Sequence, residues 1–192
     1  MKIVHKWLLL TLLSLGFVQA AQQPDKFTLQ TIDGKTLHVQ GLKNGLLFKE
    51  LKGKVVFLEF WGTHCPPCLM SIPHYIDLNK KYKEKMAMVA IEVQATPPEA
   101  LKAFVKAKGI NYNVVSYNNA PGFIDYVMLR TGWEGSIPYL IILDPEGGFV
   151  TGQVGLLSEK ALAGVIEQLH KMAKSKKAKA PATPSKEENT TR

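Results

Sequence analysis

Three nearly continuous apolar runs along the chain predict buried β-strands. These runs are VVFLEF at 55–60, MAMVAIEV at 86–93 and YLIIL at 139–143. A strand with apolar residues at consecutive positions has both faces covered, which is typical of a central sheet packed between helices. Nearer the N-terminus, FTLQTI and KTLHV are joined through Asp33-Gly34 and predict a β-hairpin, because Asp-Gly is a common hairpin turn.

Segments with apolar residues at helical spacing lie between the strands. Helices are predicted over 71–82, 97–109 and 123–129, and from a cap at Ser158 along a stripe of Leu162, Val165, Ile166 and Leu169. A short strand is predicted over 112–117, and the turn at 145–148 leads into a last strand. This alternation predicts an α/β fold with a mixed central sheet flanked by helices and an N-terminal β-hairpin.

The N-terminus has the pattern of a secretory signal peptide. Lys2 and Lys6 precede an apolar run at 7–18, and the small residues Val18 and Ala20 fit a cleavage site. The run is shorter than the ~20 apolar residues that a membrane-spanning helix needs, which disfavours a retained anchor. We therefore expect residues 1–20 to be cleaved after about Ala20, leaving a periplasmic protein with no stable membrane span and access to disulfide chemistry.

Charge is concentrated at the ends of the chain. The whole chain has a net charge of +8, of which residues 171–192 contribute +5 and residues 21–170 only +1. A nearly neutral central region gives no reason to expect a nucleic-acid partner. We expect one domain over 21–172 and a basic disordered tail over 173–192, because the tail has too few apolar residues to offset the entropy of ordering.

Cys65 and Cys68 are the only cysteines, in the stretch FWGTHCPPC. A structural disulfide between residues three apart closes a very small loop and adds little stability. A zinc site would have to recruit two of the histidines, and no second pair stands at finger-like spacing. The context of a buried strand, a short loop and a helix start favours a redox-active pair.

The position of each cysteine predicts its role. Cys65 falls at a helix N-cap, where free backbone N–H groups favour a thiolate, and Pro66 suits the first helical turn. We expect Cys65 to be the nucleophile and Cys68, one turn further on and less exposed, to be the resolving thiol. Glu59 lies inside an apolar strand and is the candidate acceptor for the Cys68 proton; the alternative is a strand-end glutamate paired with a lysine.

With FWGTHCPPC, Ile137-Pro138 and this order of elements, the chain resembles thioredoxin-fold proteins, and more narrowly the extracytoplasmic TlpA/ResA-like thiol-disulfide oxidoreductases. The resemblance extends over about residues 25 to 170 and implies that residues 97–132 form a central strand-and-helix insertion. It implies a cis Pro138 beside the disulfide and a backbone at Ile137 that pairs with a bound partner chain. Trp61, His64 and Ile137 are the residues we expect to contact that partner.

The chain departs from the family pattern around the cysteines. His64 stands where the family usually has Trp, Ser71 where many members have Glu, and Tyr139 where Thr usually follows the cis proline. Glu59 falls where cytoplasmic thioredoxins keep a buried Asp. A charged His64 would favour a Cys65 thiolate and a more oxidising pair, whereas a neutral ring would only cover the sulfur.

The resemblance implies a periplasmic thiol-disulfide oxidoreductase that needs no cofactor or metal. Its expected task is reductive: it would keep partner thiols reduced, for example those of apocytochrome c in cytochrome c maturation, with electrons from a membrane thiol transporter. The first alternative is an oxidase that forms disulfides in secreted proteins. The second is a copper(I)-binding chaperone, in which both thiolates and a histidine would hold the metal.

Overall fold

The computed structural model describes residues 25–120 and 122–179. Eight strands and four helices follow one another along these residues, with two short 3₁₀ turns between them. Their bounds are β1 Lys26–Gln30, β2 Thr36–Leu42, β3 Gly45–Phe48, β4 Val55–Trp61, α1 Pro66–Lys81, β5 Met86–Glu92, α2 Pro98–Lys108, β6 Asn113–Val115, α3 Phe123–Thr131, β7 Tyr139–Leu143, β8 Phe149–Val154 and α4 Glu159–Lys179.

The central sheet has five strands in the order β6-β5-β4-β7-β8. β4 runs parallel to β5 and β5 parallel to β6, whereas β7 is antiparallel to both β4 and β8. Every residue of β4, β5 and β7 is buried, as their continuous apolar runs predict. The mixed sheet flanked by helices is therefore confirmed.

Side chains of β4 alternate between two apolar layers. Val56, Leu58 and Phe60 pack with β1–β3 and α3. Val55, Phe57 and Trp61 pack with α1 and α4 on the other side of the sheet. Because successive side chains of a strand point to opposite faces, Glu59 lies on the α1 side, in the layer that also contains both cysteines.

The predicted N-terminal hairpin is confirmed, and a third strand extends it. β1 pairs with β2 across the turn at Asp33-Gly34, and β3 then pairs with β2 to give a separate three-stranded antiparallel sheet. Leu46 and Phe48 of β3 are buried in the layer beside α3. A four-residue strand has too short an alternation to be recognised before its pairing partner is known.

The C-terminal helix is longer than predicted. Ser158 Oγ accepts a hydrogen bond from Ala161 N–H at 3.3 Å, so the expected cap is confirmed, but α4 continues to Lys179. Residues 173–179, which we predicted to be disordered, are therefore helical. Lysine and alanine are good helix formers, and lysines are favourable near the negative end of the helix dipole.

Some predictions fall on residues that are not described. The signal peptide at 1–20 and the rest of the tail, 180–192, both lie outside the described ranges. Over residues 25–120 and 122–179, no helix is both long and apolar enough to span a membrane.

Candidate active site

The two cysteines form a disulfide at the start of α1. β4 ends at Trp61, residues 62–64 form a short loop, and Cys65 is the N-cap of the helix. Cys68 N–H donates a hydrogen bond to Cys65 Sγ at 3.3 Å. Cys65 is 6% exposed and Cys68 1%, so Cys68 is the less accessible sulfur, as the helix position predicts.

Glu59 lies under the first turns of α1 and is bound to that helix through Ser71. Its side chain is 1% exposed. Ser71 Oγ lies 3.2 Å from Glu59 Oε1 and 2.8 Å from the carbonyl oxygen of Cys68. Among the described residues Glu59 forms no ion pair, so the alternative of a lysine-paired surface glutamate receives no support.

Burial raises the pKa of Glu59 to about 8, while hydrogen bonds from Ser71 and Tyr75 act in the opposite direction. Desolvation penalises the charged form of a carboxyl, and no cation compensates for it here. A catalytic acid or base works best with a pKa near the operating pH, so a Glu59 pKa of about 8 suits proton exchange with a neighbouring group.

Tyr75 is a further member of this buried cluster, and the sequence indicated it only as an apolar helix position. Its side chain is 3% exposed, and burial followed by the charge of Glu59 raises its pKa. The ring of Tyr112 packs edge-on against it, with centroids 6.4 Å apart. A tyrosine at helical spacing is normally a core residue. Only its hydrogen bond to Glu59 in the folded structure shows that Tyr75 belongs to the cluster around this acid.

His64 stands on the surface directly before Cys65. It is exposed, its backbone N–H donates to Gln94 Oε1 at 2.8 Å, and its ring Nδ1 lies 3.0 Å from Thr63 Oγ1. Thr63 Oγ1 in turn lies 2.8 Å from Thr96 Oγ1. No pattern in the sequence indicated that residues near 94–96, after the next strand, would hold the loop before Cys65.

Glu92, the last residue of β5, anchors that segment. It is fully buried, at 0% exposed, and pairs across the sheet with Trp61, the last residue of β4. Glu92 Oε1 accepts hydrogen bonds from Gln94 N–H and Thr96 Oγ1, both at 2.9 Å, and Oε2 accepts from Thr96 N–H at 3.1 Å. The ends of neighbouring parallel strands thus bring a second acid to the edge of the sheet that presents the disulfide.

The structure places the remaining predicted site residues in different environments. The Ile137–Pro138 peptide bond is cis, as the resemblance implies, and Ile137 packs against the layer that contains both cysteines. Trp61, which we expected to contact a partner, is only 2% exposed and packs against Phe104 with ring centroids 5.8 Å apart. It is a core residue here, because its position in β4 points it toward the helices.

The described residues contain no cluster of three or more His, Cys, Asp or Glu side chains that could hold a metal ion. The copper(I) chaperone needs a third ligand beside the two sulfurs, so it gains no structural support from this part of the chain. A disulfide at a helix start, a buried acid beneath it and a cis proline on the same mixed sheet together define a thioredoxin-fold thiol-disulfide oxidoreductase.

Comparisons with known proteins agree with this class. A family model described as the AhpC/TSA family matches residues 20–151. The thiol-disulfide oxidoreductase ResA of Halalkalibacterium halodurans is 30% identical over 153 residues, which are 79% of this chain and 78% of that protein. The chain belongs to the AhpC/TSA family, and its resemblance to ResA-like enzymes is confirmed.

Solved structures show the same fold. A putative thioredoxin from Neisseria meningitidis superposes with a TM-score of 0.63 at 21% identity, over 82% of this chain and 96% of that one. A thiol:disulfide interchange protein from Chlorobium tepidum gives a TM-score of 0.57 at 23% identity, over 77% and 95% of the two chains.

Proposed function

We propose that this thiol-disulfide oxidoreductase reduces disulfides of partner proteins outside the cytoplasm. Cys65 is the nucleophile, Cys68 the resolving thiol and Glu59 the group that exchanges a proton with Cys68. The observation on which the proposal rests is the buried Glu59, with its pKa raised to about 8 and bound through Ser71 to the helix that starts with the two cysteines.

The proposed reaction begins with the reduced enzyme. The Cys65 thiolate attacks a disulfide sulfur of the partner, forms a mixed disulfide and releases the first partner thiolate. The carboxylate form of Glu59 takes the proton of Cys68, and the Cys68 thiolate attacks Cys65 Sγ. This forms the Cys65–Cys68 disulfide and releases the second partner thiolate, so two electrons pass to the partner.

The disulfide form matches the end of that sequence. With a pKa of about 8, Glu59 is protonated at neutral pH, as it would be after accepting the Cys68 proton. Its proton can then donate to Ser71 Oγ while the single hydroxyl hydrogen of Ser71 donates to the Cys68 carbonyl. In the reverse direction, Glu59 returns the proton to Cys68 when a donor dithiol reduces the disulfide.

The surroundings of Cys65 support the reductive direction. Strongly oxidising pairs stabilise the thiolate of their reduced form, and each charge-assisted hydrogen bond contributes roughly 1.5–3 kcal/mol. Within the described residues Cys65 Sγ accepts one hydrogen bond, from Cys68 N–H. One such donor and a helix N-terminus, if both are kept in the reduced form, would stabilise a thiolate only modestly, which favours a low reduction potential.

One observation favours the oxidase as the second candidate. His64 is exposed immediately before Cys65, at the position where its charged ring would stabilise a thiolate. A cationic neighbour raises the population of the reduced form and so makes the disulfide a stronger oxidant. A charged His64 would therefore shift the reduction potential toward that of an oxidase.

For the partners we propose protein thiols and disulfides, including those of apocytochrome c, with a membrane thiol transporter as the electron donor. The signal-like pattern of residues 1–20 supports a periplasmic location. A secreted disulfide oxidoreductase from Mycobacterium tuberculosis, 21% identical, has a similar structure. N-terminal sequencing of the protein recovered from a periplasmic fraction tests this location, and an uncleaved cytoplasmic product would contradict it.

The reduction potential tests the direction. We expect equilibration with glutathione or dithiothreitol buffers to give a reduction potential of about −300 mV, in the range of reducing pairs. A value above about −150 mV would instead assign the protein to the disulfide-forming oxidases. A variant with both cysteines replaced by serine provides the baseline for the assay and must show no redox transition.

A further inference from the structure

Two segments that are far apart in sequence meet beside the nucleophile: the loop at 62–64 and the turn at 92–96. Buried Glu92 binds both backbone N–H groups of the turn, at Gln94 and Thr96, and the Thr96 hydroxyl as well. Two hydrogen bonds then join the loop to the turn: His64 N–H donates to Gln94 Oε1, and the hydroxyls of Thr63 and Thr96 bond to each other. None of these residues belongs to the proton pathway of Glu59.

The backbone of the turn is strained in a way that Glu92 explains. Ala95 has a φ of 56°, the one positive value outside glycine among the described residues. An alanine in the left-handed region costs roughly 1–2 kcal/mol and persists only where surrounding contacts demand it. The hydrogen bonds from residues 94 and 96 to one carboxylate hold Ala95 in this conformation, because they fold the backbone around Glu92.

The direction of each hydrogen bond in this network follows from the number of available hydrogens. As a carboxylate, Glu92 can only accept, so the hydroxyl of Thr96 donates its one hydrogen to Glu92 Oε1. Thr96 Oγ1 can then only accept toward Thr63, which must donate its own hydrogen at 2.8 Å. Thr63 Oγ1 is thereby left as an acceptor toward His64 Nδ1, at 3.0 Å.

We propose that Glu92 is a positioning residue which, through Thr96 and Thr63, holds His64 with a hydrogen on Nδ1 and leaves Nε2 as the nitrogen that meets the partner chain. Within the described residues Nε2 has no hydrogen-bond partner, and the side chain is exposed. A neutral His64 thus offers a hydrogen-bond acceptor to a partner docked at Cys65. The relevance of this acceptor rests on the proposed function, but the tautomer itself does not.

The tautomer is directly measurable. Proton–nitrogen correlation spectra of the labelled, oxidised protein at about pH 9, where histidine rings are neutral, distinguish a protonated Nδ1 from a protonated Nε2. The His64 signals are identified by their loss in His64→Trp. We expect Nδ1–H in the natural protein, although free histidine favours Nε2–H; finding Nε2–H would overturn the proposal whatever the reductase activity.

Two matched variants test the connection to Glu92. Thr96→Val keeps the shape of the side chain but removes the hydroxyl, so Thr63 becomes free to donate to His64 Nδ1 and the ring should switch to Nε2–H. Thr96→Ser keeps the hydroxyl and should retain Nδ1–H. If Thr96→Val also retains Nδ1–H, the tautomer is set locally and Glu92 has no part in it.

Glu92→Leu provides a second route to the same result. Without an acceptor at position 92, Thr96 is free to donate to Thr63 and Thr63 to His64 Nδ1, so the ring should switch to Nε2–H. Retention of Nδ1–H in a folded Glu92→Leu protein would contradict the proposal. If this variant does not fold, the comparison of Thr96→Val with Thr96→Ser still decides the question, because both leave Glu92 bound to its two backbone donors.

Discussion

Ser71 joins Glu59 to the helix of the catalytic cysteines: its hydroxyl oxygen lies 3.2 Å from Glu59 Oε1 and 2.8 Å from the carbonyl oxygen of Cys68. Strand β4 and helix α1 are thus connected one turn after Cys68 by one buried side chain. This contact holds Glu59 against the turn of α1 that contains Cys68.

Glu59→Gln should change how stability depends on pH. Burial raises the pKa of Glu59 from 4.5 to about 8, so between these values the folded protein keeps a proton that the unfolded chain releases. The unfolding free energy of the oxidised protein should therefore fall as pH rises from about 5 to about 8, by on the order of a few kcal/mol, and this fall should vanish in Glu59→Gln. Urea denaturation at both pH values measures it.

The control for this experiment is Glu99→Gln, at a surface position where Glu99 pairs only with Lys102. It should show the same pH dependence as the natural protein. An equal slope in Glu59→Gln and the natural protein would mean that Glu59 does not hold a proton in the folded state.

Serine variants should separate the roles of the two cysteines. Cys68→Ser removes the resolving thiol, so the mixed disulfide between Cys65 and a partner should accumulate. Cys65→Ser leaves only the less exposed sulfur, 1% accessible, and should trap little or none. Non-reducing gels and mass spectrometry after reaction with an oxidised peptide measure the trapped species; more adduct with Cys65→Ser than with Cys68→Ser would reverse the assignment.

His64→Trp should make the reduction potential more negative, by roughly 30 mV, which is ~1.4 kcal/mol for a two-electron couple. The cause is loss of a side chain that can be cationic beside the Cys65 thiolate, and the pKa of the reduced Cys65 thiol should rise with it. Thiolate absorbance and glutathione equilibration measure the two quantities.

Two further histidine variants distinguish an effect of the His64 charge from simple covering of the Cys65 sulfur by the ring. His64→Gln also removes the charge, so it should shift the potential in the same direction as His64→Trp. His38→Gln changes a histidine that pairs with Glu50 in the separate N-terminal sheet and should leave the potential unchanged. If neither His64 variant shifts the potential, the ring only covers the sulfur.

Gly62→Ala should weaken the attachment of the loop before Cys65. A Cβ at Gly62 would overlap the end of the Gln94 side chain, which must then leave its hydrogen bond to His64 N–H. We expect a loss of about 1 kcal/mol in unfolding free energy for Gly62→Ala, and a similar loss for Gln94→Ala. Because both remove the same hydrogen bond, the double variant should lose less than the sum of the two.

Gly164→Ala is the matched glycine control. Gly164 lies inside α4, and a Cβ there would meet no atom within 4 Å. The unfolding free energy of this variant should increase by about 0.5–1 kcal/mol, since alanine is the better helix former.

Fully additive losses for Gly62→Ala and Gln94→Ala would show that the two residues do not act on one hydrogen bond.

Local sequence patterns predicted most of the fold. The continuous apolar runs gave β4, β5 and β7, and Asp33-Gly34 gave the turn between β1 and β2. The differences arise at elements whose state depends on distant contacts. Four-residue β3 forms by pairing with β2, and Trp61 becomes a core residue because α2 brings Phe104 against it.

The sequence by itself determined the redox pair, its place at a helix start and the presence of one acid in a buried strand, because these depend on residues close together along the chain. Only the tertiary structure decided the environment of that acid. Ser71 and Tyr75 reach Glu59 from α1. Thr96, which binds Glu92 at the end of a neighbouring strand, reaches the loop before Cys65. Hydrogen bonds between segments more than ten residues apart leave no periodic signal in the sequence, so these contacts appear only once the chain is folded.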